Sequence, residues 1–154
     1  IDDSLGIAFY KSQAAAGQAL PNRGKVFLSV KSSDKRNIVF IAKKLVDLGL
    51  EIIATKGTYK VLKSNGIPSS PVGKIAEGDT RLFDFMRQGD IVLVINTPSG
   101  VRSQSDTKTI RSRAVSYGIP CITTIAGAQA AVNGIEAVAK GKLEVKAIQE
   151  YHRV

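Results

Sequence analysis

The 154-residue chain contains one histidine, His152, and one cysteine, Cys121, and that scarcity removes most catalytic chemistry at once. No His/Cys cluster can hold a metal. No Ser/His/Asp set can form either, because His152 lies in the C-terminal tail, far from every loop considered below. The sequence therefore predicts no catalytic residue and no metal ligand. Cys121, between Pro120 and Ile122, has no partner for an internal disulfide and reads as a small apolar strand residue. Tryptophan is absent, and five Phe and four Tyr are too few for a base-stacking platform, which argues against nucleic acid as a partner. No apolar run approaches the length of a membrane span and no secretory leader is visible, so a soluble, cytoplasmic, reducing setting is expected. Neither a Walker lysine motif nor G-x-G-x-x-G occurs.

Acidic residues are also short, 13 against 22 Lys plus Arg, for a net charge of +9. Such a surface attracts anions, and because the basic residues are spread along the chain, a small phosphorylated ligand fits better than a polyanion. With 44% hydrophobic residues, the chain can bury one core but not two. The opening Ile1-Asp2, without methionine, suggests a piece of a longer polypeptide.

What is present alternates. SLGIAFYKSQAAAGQAL (4–20) spaces its apolar residues as a helix with no evident partner, ended by Pro21. VFLSV (26–30) reads as a strand buried on both faces, and Ile38, Ile41, Ala42, Leu45 and Leu48 then fall on one helical stripe. EIIAT (51–55) reads as strand, Gly57 as a turn and 59–65 as a short helix. A weak strand at 72–75, a charged loop at 77–80 and a helix at 81–88 follow. The strongest strand is DIVLVINT (90–97). A helix near 107–117, a strand at 121–124 and an alanine-rich helix at 126–139 complete the pattern. Such alternation predicts a three-layer α/β/α, Rossmann-like fold with a five-stranded, mostly parallel sheet.

In that architecture ligands bind beyond the carboxyl ends of the strands, near a topological switch point. Those loops carry Lys35, then Thr55, Gly57 and Thr58, then Lys74, then Asn96, Thr97 and Ser99, then Thr123. Hydroxyls at a helix start, with lysines from neighbouring loops, make a phosphate cradle. The competing reading is structural: Thr55 or Thr58 caps its helix, Lys35 and Lys74 are solvated, and Asn96 stabilises its own turn. Arg102, Arg111 and Arg113 read as a solvated helix face or an interface. Asp79 and Asp106, loop acids, read as solvated or capping rather than as bases.

VFLSVKSSDK, ATKGT, VGKIAEG, VINTPSG and IRSRAVSYGIPCITT, in this order, resemble the successive blocks of the methylglyoxal synthase-like domain that closes the large subunit of carbamoyl-phosphate synthetases. The resemblance spans roughly residues 25–149, and AFYKSQAAAG resembles the end of the preceding catalytic domain. It implies that 1–24 is a linker and helix from that domain, and that 25–154 is a regulatory domain. It further implies a nucleotide effector, UMP or IMP, with its phosphate among Lys35, Thr55, Thr58, Lys74 and Asn96, and Thr107 near base and ribose. The parent enzymes use ATP with Mg²⁺ or Mn²⁺ to make carbamoyl phosphate for arginine and pyrimidine synthesis. They work with a glutaminase small subunit, and this domain contributes oligomer contacts; no cofactor is expected in the segment itself. Two departures matter. Pro98 replaces a family threonine, so Thr97 or Ser99 must supply that hydroxyl, and Cys121-Ile122 replaces the aromatic and acidic pair of members that respond to ornithine, leaving Thr123 as a possible second effector contact. The same resemblance places Asp79 where free-standing methylglyoxal synthases carry their catalytic aspartate, but without the companion carboxylate and histidine.

Overall fold

A computed structural model describes residues 2–98, 100, 104–141 and 146–150. The chain alternates helix and strand: α1 (Leu5–Ala15), β1 (Lys25–Ser29), α2 (Lys35–Asp47), β2 (Glu51–Thr55), α3 (Lys56–Ser64), β3 (Ser70–Val72), α4 (Arg81–Gln88), β4 (Ile91–Asn96), α5 (Gln104–Ser116), β5 (Cys121–Ile122) and α6 (Ile125–Ala139). The sheet order is β3-β2-β1-β4-β5. All four pairings are parallel, so the expected mostly parallel sheet is parallel throughout. The chain leaves β1 towards β2 and β3, then crosses back to β4 and β5. The switch point therefore lies between β1 and β4.

Central strands buried on both faces need apolar residues at every position, which is why VFL in β1 and IVLVI in β4 are continuous. Their side chains divide between two cores. Val26, Leu28, Ile52, Ala54, Leu93 and Ile95 pack with Ile38, Ile41 and Leu45 of α2, Leu62 of α3 and the alanine face of α6. Phe27, Ile53, Val72 and Val94 pack on the opposite face with Leu82 and Met86 of α4 and Ile110 and Ala114 of α5. The three predicted layers are present. Arg113 lies over the Phe83 ring at 5.3 Å, so this member of the arginine group braces α5 on α4.

Four local expectations change. The first helix stops at Ala15 rather than near Leu20, because Gly17 turns the chain with φ 74°. It has a partner after all: α1 lies on α6, with Gly6 and Ile7 buried. β3 is Ser70–Val72 rather than 72–75, since its ladder with β2 ends at Thr55 and Val72 and a single 3₁₀ turn takes Ile75–Glu77. Gly57 is not a turn residue. Helix α3 starts directly after β2, so Gly57 occupies its first turn.

Candidate functional site

Every strand except β5 delivers residues to one cavity at the carboxyl edge of the sheet, of about 500 Å³, within the roughly 300–1,000 Å³ typical of small-molecule sites. Ser29 comes from β1, Thr55, Lys56 and Gly57 from the β2–α3 junction, Gly73 and Lys74 from the segment after β3, and Asn96 and Thr97 from β4. Asp106 and Thr107 reach it from the first turn of α5. Phe27, Val72, Leu82 and Ile110 form apolar walls. Placement at the β1/β4 switch point follows from the topology: strand ends splay there, and the loops on either side lead apart.

The sequence-predicted residues divide. Thr55, Gly57, Lys74, Asn96, Thr97 and Thr107 line the cavity. Lys35 stands at its rim: its Nζ lies 3.2 Å from where a Cβ on Gly57 would sit, so the missing side chain is what lets the ammonium approach the α3 N-terminus. Thr58 faces inward instead. It is 1% exposed, and its Oγ1 accepts from the Val30 N–H at 3.2 Å and from the Thr55 hydroxyl at 3.3 Å, tying the end of β1 to α3. Thr123 does not reach this cavity; it is half-buried at the end of β5. Ser99, Arg102 and His152 lie outside the described residues. Cys121 is only half-buried, and burial pushes its thiol pKa up, leaving it neutral and a poor nucleophile.

Two of the structural alternatives fail on geometry. Thr55 precedes α3 as its N-cap residue but makes no side-chain cap bond, and the first turn of α3 holds no acidic residue. The N–H groups of that turn and the positive end of the helix dipole are therefore left facing the cavity. Asn96 does not stabilise its own turn. It is 2% exposed, and among the described residues its Nδ2 has no hydrogen-bond partner. An unpaired buried donor costs about 1–3 kcal/mol, so its place beside a cationic cavity calls for an acceptor from outside the chain. Thr97 is partly committed: its Oγ1 accepts from the Lys31 N–H at 3.0 Å, but its own proton is left to donate.

The segment bearing Lys74 is held by a clamp the sequence did not reveal. Asp79 accepts from the Gly73 N–H at 2.6 Å, from the Arg81 N–H at 3.0 Å, and from the Arg81 guanidinium through Nε and Nη2, the latter at 2.6 Å. A Cβ on Gly73 would lie 2.7 Å from Asp79 Oδ2, so any side chain there would push the carboxylate away from the Gly73 N–H. The Arg81 guanidinium, with the two backbone N–H groups, holds the Asp79 carboxyl well below the usual carboxylate range. A carboxylate so bound is a weak base, and its visible work is to fix residues 73–81.

A folded pKa below the unfolded value means the clamp's contribution is complete above about pH 3.9 and is lost only as pH falls further. Because the folded carboxylate takes up its proton only well below the usual carboxylate range, the Gly73 amide resonance is expected to stay fixed from pH 7 down through that range; Asp79→Ala should shift it at neutral pH. A Gly73 signal titrating between pH 7 and 5 would contradict the clamp.

Besides the clamp, sequence reasoning passed over Ser29, Lys56 and the apolar walls. Lys56 adjoins Gly57 and was legible as a loop cation, whereas Ser29 precedes the predicted strand end by one residue and gave no signal. Among the described residues no cluster of His, Cys, Asp and Glu suits a metal ion, and no helix is long and apolar enough to cross a membrane.

The MGS-like domain family model matches residues 37–123, which takes in β2 to β5 and all of the cavity's loops except that after β1. The chain belongs to the MGS-like domain family. This MGS-like domain is 47% identical over 153 residues, 99% of its length, to the carbamoyl phosphate synthase large chain of Archaeoglobus fulgidus, of which it spans 14%. It is 50% identical over 151 residues, 97% of its length, to the carbamoyl phosphate synthase large chain, C-terminal section, of Methanocaldococcus jannaschii, spanning 24% of that protein. The MGS-like domain thus covers about a seventh to a quarter of these relatives. Among solved structures, methylglyoxal synthase from Elizabethkingia anophelis superposes with a TM-score of 0.60 at 20% identity, covering 88% of this chain and 93% of that one; this establishes the shared fold.

Proposed function

We propose that this domain is a regulatory module of a carbamoyl-phosphate synthase large chain, which binds a nucleoside monophosphate such as UMP or IMP by its phosphate and catalyses no reaction itself. The observation that carries the reading is the buried, unpaired Asn96 Nδ2 beside a cavity ringed by Lys35, Lys56 and Lys74 and by the N-terminus of α3. The chemistry suits a nucleotide in two parts. The lysines, the free N–H groups and the hydroxyl of Thr97 attract the phosphate. Phe27, Val72, Leu82 and Ile110, with Thr107 beside them, offer an apolar seat for a base and ribose. Turnover is disfavoured by the lining, which contains neither histidine nor cysteine, and by the locked state of Asp79. Regulation requires differential contact with the other domains of the longer chain, as in any coupling between sites; those catalytic domains are its natural partners, and through them the ATP-dependent synthesis of carbamoyl phosphate is what it would govern.

Titration with UMP and with IMP, followed by thermal melting, tests the proposal. A ligand at about 100 times its dissociation constant stabilises by roughly 2.7 kcal/mol, which for a domain of this size raises Tm by about 5–10 °C. Lys74→Ala should weaken binding by about tenfold or more, the worth of a charge-assisted contact, with the ligand-free Tm unchanged because Lys74 is exposed. If neither nucleotide moves Tm at millimolar concentration, the nucleotide reading fails and the assembly role is favoured.

A further inference from the structure

The lysines of the cavity are not idle in the absence of ligand. Glu77, in the 3₁₀ turn after β3, places Oε1 3.5 Å from Lys74 Nζ and Oε2 3.8 Å from Lys56 Nζ. Its two oxygens thus face one ammonium each, as two oxygens of a bound phosphate would. Both lysines line the cavity, while Glu77 itself stands outside it. The carboxylate bridges the segment after β3 to the first turn of α3, and that turn has no acidic residue of its own. The Asp79 clamp, two residues on, fixes the backbone from which Glu77 reaches.

We propose that Glu77 is a built-in counter-anion that competes with the ligand's phosphate for Lys56 and Lys74 and so tunes the affinity of the site. The proposal rests on the phosphate-site reading given above. A phosphate drawing both ammonium groups cannot share them with the carboxylate at close range, since like charges a few ångströms apart repel. Any anion that needs both lysines must displace Glu77, and its apparent dissociation constant is the intrinsic one divided by the fraction of time the bridge is open. A ligand with weak charge gains little from the exchange, whereas a phosphate dianion gains enough to break the bridge. The two pairs are exposed, so each is worth at most about a fivefold factor, and the effect is a modest adjustment rather than a switch.

The test is calorimetric titration of inorganic phosphate and of UMP into the intact chain and its Glu77→Gln and Glu77→Asp variants. Glu77 is exposed, so all three should melt alike. Glu77→Gln is expected to bind both ligands roughly fivefold more tightly. Glu77→Asp keeps the charge but is one methylene too short to span the two lysines, and should also bind more tightly than the parent. Unchanged or weaker binding in Glu77→Gln overturns the proposal, as does a Glu77→Asp variant indistinguishable from the parent, which would reduce the effect to net charge. Failure of all three proteins to bind either ligand would overturn the phosphate site itself and this proposal with it.

Discussion

Replacing Asn96 by leucine is expected to cost nucleotide binding about 10- to 100-fold while leaving the ligand-free domain as stable as before, or more so. Asn96 ends β4 at 2% exposure, and its Nδ2 finds no acceptor among the described residues. In the empty domain that donor is a liability of about 1–3 kcal/mol, and an apolar side chain of similar outline removes it. When a phosphate is bound, the same donor makes a charge-assisted hydrogen bond, worth about 1.5–3 kcal/mol. The two effects therefore have opposite signs in one variant: the ligand-free Tm holds or rises by a few degrees, and affinity falls. A purely structural asparagine would give the reverse, a Tm several degrees lower with affinity retained. Thermal melting with and without UMP separates the two.

The second large effect concerns α1. Gly134→Val is expected to lower stability by about 1–3 kcal/mol, or roughly 2–12 °C in Tm, without altering nucleotide affinity. A Cβ on Gly134 would stand 2.5 Å from the Gly6 carbonyl oxygen and 3.0 Å from Tyr10 Cβ, and one on Gly6 would stand 3.0 Å from the Gly134 nitrogen. The two backbones touch, and neither can yield without the helices separating. A larger residue at position 134 must lift α1 off α6 and expose Ile7. The cavity, at the carboxyl edge of the sheet, shares no lining residue with this crossing. Faster amide exchange confined to α1 and the facing side of α6 would show the undocking directly. An unchanged Tm would mean that α1 contributes nothing to the folded unit, in keeping with the expectation that residues 1–24 merely join it to a preceding domain.

The reason that crossing was hidden, while the sheet was not, is physical. Strand runs such as VFLSV and DIVLVINT announce themselves by continuous burial, and the stripe on α2 by its 3.6-residue period. Helix α1 does not gather its apolar residues on one face, and it meets α6 through glycines, which carry no periodic signal. The site was legible to the same degree. Knowing that ligands sit at strand ends was enough to find Thr55, Gly57, Lys74, Asn96 and Thr97. It was not enough to orient side chains: Thr58, one helical turn from Thr55, rotates into the core to receive the Val30 N–H. The Asp79 clamp needed the chain to fold back through Gly78, whose φ of 85° permits the turn, and long-range closure of that kind leaves no mark on residue spacing. The bridge from Glu77 to Lys56 was invisible for the same reason.

The direct measurement is of the Asn96 side-chain amide itself. In ¹⁵N-resolved NMR spectra of the intact chain, titration with UMP is predicted to move the Asn96 Nδ2 proton resonances downfield, together with the backbone amides of Lys56 and Gly57, as they acquire a phosphate acceptor; inorganic phosphate should move the same signals less. Should UMP bind while these resonances stay where they are, or fail to bind at all, the phosphate site proposed at the ends of β2 and β4 would be contradicted.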